Sequence, residues 1–146
     1  MIAKSNMPTS TSDKIPAGIR PDGSAYRVLV VDDSMFISKQ LSQIFTSEGF
    51  EVVGTAADGA QGLERYKEMF PKVDLVTMDI TMPVMDGVTA LEKIIEFDKN
   101  AVVIMVSALG KEDVVKKSLM TGAKSYIIKP LDRNKVLDRV VTFLKR

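Results

Sequence analysis

The 146-residue chain contains no cysteine, no histidine and no tryptophan. Without cysteine there can be neither a disulfide nor a thiolate metal site. Without histidine, zinc sites of the usual kind and imidazole-based acid–base or phosphocarrier chemistry are excluded. Charge of one sign is not in excess either: 20 Lys and Arg against 19 Asp and Glu leave a formal +1, which offers no footprint for nucleic acid. No apolar run approaches the roughly 20 residues of a membrane-spanning helix, and the N-terminus lacks the apolar core of a signal peptide. A cytoplasmic location with no membrane partner is the expectation. What is present, 45% apolar residues in a chain of this length, suits one domain with a sizeable core.

Residues 1–25 carry Pro8, Pro16, Pro21, Gly18 and Gly23 and a Ser/Thr cluster from Thr9 to Ser12. Such a composition cannot order itself by burial, so an extension is expected here, flexible or laid over the domain, with Ile15 and Ile19 as candidate anchors. From Tyr26 to the end, short apolar runs alternate with helical patterns. YRVLVV, FEVVGTA, VDLVTM, AVVIMVS and SYIIK read as strands. Between them lie helices with apolar faces at Ile37, Leu41, Ile44 and Phe45, at Ala60, Leu63, Tyr66 and Phe70, at Leu91, Ile94 and Ile95, over 111–121, and at Val136, Val140, Val141 and Leu144. Ser34 and Asp132 stand where caps belong, and Gly49, Pro71 and Gly122 where helices stop. Parallel strands need a crossover each, so the pattern predicts an α/β fold: a doubly wound, five-stranded parallel sheet with helices on both faces. The order 2-1-3-4-5 is adopted from known flavodoxin-like proteins, since no residue here dictates it.

Strand ends carry the chemistry. The first run ends in Asp32 and Asp33 and the third in Asp79, which is followed by Pro83, Asp86 and Gly87. In the adopted order, strands one and three are neighbours at the switch point where ligands collect. Three carboxylates about 5 Å apart repel by on the order of 3 kcal/mol per pair at an effective dielectric near 20. A hard divalent cation would compensate them, and Mg²⁺, which keeps several waters while meeting a phosphoryl oxygen, fits best. The fourth strand ends in Ser107 and the fifth in Lys129, a hydroxyl and an ammonium able to hold oxygens of an added phosphoryl group. Taken singly, Asp79 reads as a loop cap, Ser107 as a cap and Lys129 as a solvated cation; together at neighbouring strand ends they read as a site.

The segments VDDS, MDITMPVMDG, VSALG and GAKSYIIKP resemble the motifs of the response-regulator receiver domain of two-component signalling, in the right order and spacing from Tyr26 to the end of the chain. The resemblance implies a receiver domain over 26–146 in which Asp79 is the phosphoacceptor. It further implies that Asp32 and Asp33 hold Mg²⁺ with the Thr81 backbone carbonyl, that Ser107 and Lys129 bind the acyl phosphate, and that Tyr126 is an aromatic switch. The Lys129–Pro130 bond resembles one that is cis in the family. VDDSMF and GAKSYIIKP are most similar to stand-alone chemotaxis regulators. These imply a CheA-like histidine kinase as donor, a FliM-like flagellar motor-switch protein as target and clearance by a dedicated phosphatase; no output domain is expected after the last helix. Thr81 and Leu109 flank the path of hydrolytic water in the family, and an apolar Leu109 gives that water no hydrogen bond, so slow self-dephosphorylation is expected. A phosphorelay carrier is the nearest alternative. A hydrolase of the haloacid-dehalogenase kind would need Asp where Thr81 stands, and a phosphate-free scaffold would have no use for the five polar groups.

Overall fold

The computed structural model describes residues 15–144, so the first 14 residues of the expected extension lie outside the described residues. Five strands, β1 (Arg27–Val31), β2 (Glu51–Ala56), β3 (Leu75–Met78), β4 (Val103–Ser107) and β5 (Ser125–Ile128), alternate with five helices. The helices are α1 (Met35–Ser47), α2 (Gly59–Met69), α3 (Gly87–Phe97), α4 (Glu112–Thr121) and α5 (Arg133–Phe143). All strand pairs are parallel, in the order β2-β1-β3-β4-β5.

The two-residue period of each strand feeds two cores. Val28, Val30, Leu75, Ile104 and Val106 face one way and pack with Leu41, Ile44 and Phe45 of α1 and Val136, Leu137 and Val140 of α5. Leu29, Val31, Val76, Met78, Val103 and Met105 face the other way, toward Tyr66 of α2 and Ala90, Leu91 and Ile94 of α3. Burial on both faces explains why the central strands are continuously apolar. Four helices start on a side-chain cap: Ser34, Asp58, Asp86 and Asp132 each accept from backbone N–H groups in the first turn. The fourth helix has Glu112 and Asp113 in its first turn instead, where carboxylates suit the dipole.

Thr77 breaks the apolar register. It is 1% exposed and its hydroxyl is, among the described residues, the one buried side-chain polar atom without a hydrogen-bond partner. Replacing it with the near-isosteric Val removes an uncompensated desolvation, so Thr77→Val is expected to stabilise the domain by about 1–2 kcal/mol. Urea denaturation of both proteins measures this; equal or lower stability for the variant would show that the hydroxyl has a partner in solution.

Two details differ from the sequence pattern. Helical spacing places Phe70 on the inner face of α2, yet the helix ends at Met69 and Phe70 is 46% exposed. The residue before a proline is driven out of the helical region, and Phe70 adopts an extended conformation (φ −56°, ψ 135°) before Pro71, which takes it off the helical stripe. It packs edge-on against Phe97 instead, with ring centroids 5.1 Å apart. The second detail is Ile15: residues 15–25 lie over the domain, one of the two courses expected, with Ile19 packed as an anchor and Ile15 exposed. Gly18 N–H donates to the Glu48 carbonyl, Tyr26 N–H to the Gly18 carbonyl, and Ile19 pairs with Ala25 in an antiparallel bridge. Ile19 sits over Gly49, and Arg20 is ion-paired with Asp74.

Candidate functional site

Strand pairing brings the acids together. Val31 is registered against Met78, and Asp79 N–H donates to the Val31 carbonyl at 2.9 Å, so the residues that follow β1 and β3 leave the sheet side by side. One carboxylate oxygen from each of Asp32, Asp33 and Asp79 lies within 4.8 Å of the others. Asp32 and Asp79 are buried and Asp33 is exposed. Backbone donors orient the buried pair: Ser34 N–H reaches Asp32 Oδ1 at 2.9 Å, and Ile80 N–H reaches Asp79 Oδ1 at 2.8 Å.

Lys129 follows β5, whose Ile128 is registered against Ser107, and its own N–H donates to the Ser107 carbonyl. Its ammonium reaches back across the sheet, Nζ lying 3.0 Å from Asp32 Oδ2 and 3.6 Å from Asp79 Oδ2. One cation faces three carboxylates. The imbalance is expressed at Asp79: burial, then the Asp32 charge, push its pKa up to about 6 against the opposing pull of Lys129. Three hard oxygen donors with net negative charge fit a small dication, and Asp32, Asp33 and Asp79 are the side chains that would hold it.

Ser107 is buried at the end of β4, and its Oγ accepts from Leu109 N–H at 3.1 Å. Tyr126 of β5 is also buried, and its hydroxyl donates to the Leu109 carbonyl. Burial raises the phenol's pKa, so it remains a donor. Leu109 therefore touches both side chains through its backbone. Thr81 lies exposed in the loop after Asp79, two residues on. Gly87 closes that loop: its N–H donates to the Ile80 carbonyl at 2.8 Å, and a Cβ there would fall 1.8 Å from the Asp79 carbonyl. The Lys129–Pro130 peptide is cis.

Asp32, Asp33, Asp79, Ser107 and Lys129 are thus brought to one end of the sheet, as their places at strand ends predicted. The parts that sequence reasoning missed are backbone groups: the Ser34 and Ile80 amides and both polar groups of Leu109. A backbone donor leaves no mark on residue identity.

This fold with this end-of-sheet constellation defines a class, and the response regulator receiver domain model matches residues 28–141. The chain belongs to the response regulator receiver domain family. Within it, the chain is similar to the chemotaxis protein CheY of Treponema pallidum (strain Nichols), 66% identical over 145 residues, which is 99% of this chain and 100% of that protein. It is also similar to the chemotaxis protein CheY of Bacillus subtilis (strain 168), 47% identical over 80% of this chain and 95% of that protein. Among solved structures it resembles that of the CheX–CheY–BeF3–Mg²⁺ complex from Borrelia burgdorferi, with a TM-score of 0.88 and 59% identity, covering 90% of this chain and 100% of that one. These likenesses support a CheY-like response regulator in chemotaxis, and such receiver domains are signalling switches and not classical enzymes.

Proposed function

We propose that this receiver domain is a switch phosphorylated on Asp79 by a histidine kinase in a Mg²⁺-dependent reaction. The observation that carries this reading is the placement of Lys129 Nζ within 3.0 Å of Asp32 and 3.6 Å of Asp79, beside three convergent carboxylates. An oxygen of Asp79 attacks the phosphorus of a phosphohistidine; the new O–P bond forms as the P–N bond breaks, and the imidazole nitrogen keeps the electron pair. Asp32, Asp33, Asp79 and the Thr81 carbonyl would hold Mg²⁺, which when bound would supply charge neutralisation for the phosphoryl oxygens. Lys129 supplies a second positive group, and the Ser107 hydroxyl a donor, on the side of β4 and β5. Water later attacks the same phosphorus, which restores the Asp79 carboxylate and releases inorganic phosphate.

The switch is local electrostatics acting on packed elements. A phosphoryl group adds nearly two negative charges and three acceptor oxygens. Ser107 turns its hydroxyl toward one of them and gives up the Leu109 amide. The β4–α4 loop then moves, and Tyr126, bonded to the Leu109 carbonyl, follows it. The face formed by α4, β5 and α5 is the output surface. A CheA-like kinase as donor and a FliM-like motor-switch protein as target are the partners, and the Borrelia complex supports a CheX-like protein as a third. No described helix is long and apolar enough to cross a membrane.

Transfer from a CheA-like kinase carrying labelled phosphohistidine tests the reading. Label is expected to move to this chain, and to remain on the kinase when Asp79→Asn is used or Mg²⁺ is chelated. Label retained on the kinase with the wild-type chain would overturn it. The lifetime of the product tests the role of Leu109, which is 38% exposed. Leu109→Glu offers the attacking water a hydrogen bond and is expected to speed decay several-fold. An unchanged decay rate would remove that role.

A further inference from the structure

The loop of residues 80–86 joins β3 to α3. Ile80 and Met82 are buried, and Thr81 between them is exposed. At the apex Val84 has φ 68°, the one positive φ among the described non-glycine residues. Met85 N–H donates to the Pro83 carbonyl, two residues back, at 2.7 Å. That bond around a positive φ makes a γ-turn of the rare, strained kind. A β-branched residue suits it poorly, and Val84, 85% exposed, has no packing to hold it there.

Such strain persists only where the surroundings over-determine it. Here they do. Gly87 ties one end of the loop to Ile80 and leaves no room for a side chain against the Asp79 carbonyl. Gly59 ties the other side: its N–H donates to the Met85 carbonyl at 2.9 Å, and a Cβ at that position would fall 2.4 Å from the same oxygen. Met82 and Met85 both pack on the core, so the chain must reverse between them. The γ-turn makes that reversal.

We propose that Val84 is a positioning residue for the cation site: its γ-turn fixes the loop that carries the Thr81 carbonyl and thereby sets part of the Mg²⁺ affinity. The inference rests on the Mg²⁺-dependent reading of the acid cluster given above. Calorimetric titration of the full chain with MgCl2 tests it, alongside melting temperatures in EDTA.

Val84→Asn tolerates the left-handed region. It is expected to bind Mg²⁺ within about twofold of wild type and to melt higher in EDTA. Val84→Gly allows the turn without enforcing it and is expected to weaken binding about three- to fivefold. Val84→Pro, with φ locked near −65°, forbids it and is expected to weaken binding at least about tenfold. If the proline variant fails to fold, the glycine variant carries the test. Glycine and proline variants that bind as tightly as wild type would overturn the inference, as would an asparagine variant as weak as the proline one. A wild-type chain that binds no Mg²⁺ would overturn the reading of the acid cluster and the inference with it. Wild-type binding that Asp32→Asn abolishes and no Val84 variant changes would overturn the inference alone.

Discussion

Asp79→Asn is expected to stabilise the fold by about 3 kcal/mol above pH 6, a rise in melting temperature of about 10 °C for a domain of this size. The cause is the cost of keeping a carboxylate ionised where Asp79 sits. Its pKa is about 6 in the folded protein against 3.8 for an unperturbed group, with burial the larger cause and the Asp32 charge the next. Below pH 3.8 the group is protonated whether folded or unfolded, and the folded state bears no penalty. Above pH 6 it is ionised in both, and the penalty is complete. Wild type therefore loses this stability as pH rises between those values, and the advantage of the amide grows over the same window. Asn keeps an oxygen to accept from the Ile80 amide, so the local geometry survives. On the proposed reading of the acid cluster Mg²⁺ should reverse the ranking partly, because three carboxylates would hold it more tightly than two and an amide. Thermal melts from pH 3.5 to 8 in EDTA measure the effect. A variant no more stable than wild type at pH 8, or one with the same advantage at pH 3.5, would contradict the electrostatic account.

Lys129→Met is expected to slow phosphoryl transfer to Asp79 by about 10²–10³-fold at saturating Mg²⁺, the loss typical of removing one preorganised charge-stabilising donor. The same substitution should tighten Mg²⁺ binding. Lys129 Nζ lies 3.0 Å from Asp32 and 3.6 Å from Asp79, so its ammonium would compete with a bound cation for two of the three carboxylates. Met fills a similar volume with no charge, which leaves the acid cluster to the metal alone. Slower transfer together with tighter Mg²⁺ binding separates this role from simple damage to the site, which would weaken both. Stopped-flow phosphorylation by a small phosphodonor and a parallel Mg²⁺ titration give the two numbers. A transfer rate within twofold of wild type, or weaker metal binding, would contradict the role assigned to Lys129.

Much of this was legible in the sequence because strands buried on both faces announce themselves as short apolar runs, and because Asp32, Asp33, Asp79, Ser107 and Lys129 stand where those runs end. The strand order was not written in any residue; it came from known topologies, and the register of Val31 against Met78 confirms it. Phe70 was misplaced because an apolar residue at helical spacing reads as inward even when the following proline has already ended the helix. The path of residues 16–25 was illegible because it depends on backbone bonds to Glu48 and on the bare surface of Gly49 beneath Ile19. Val84 looked like any loop valine, since φ is set by the closure of the loop around it and not by its own preference. The bonds from Leu109 to Ser107 and Tyr126 were hidden for the same reason as the amides at Ser34 and Ile80: they belong to the backbone.

The central claim, that the end of this sheet is a Mg²⁺-dependent phosphoryl acceptor centred on Asp79, is tested most directly by intact-mass spectrometry after incubation with acetyl phosphate. Wild type with Mg²⁺ should gain a single phosphoryl group, and wild type in EDTA or Asp79→Asn with Mg²⁺ should gain none. No adduct on wild type, beside a receiver domain that is labelled under the same conditions, would contradict the claim, as would an adduct that persists in Asp79→Asn.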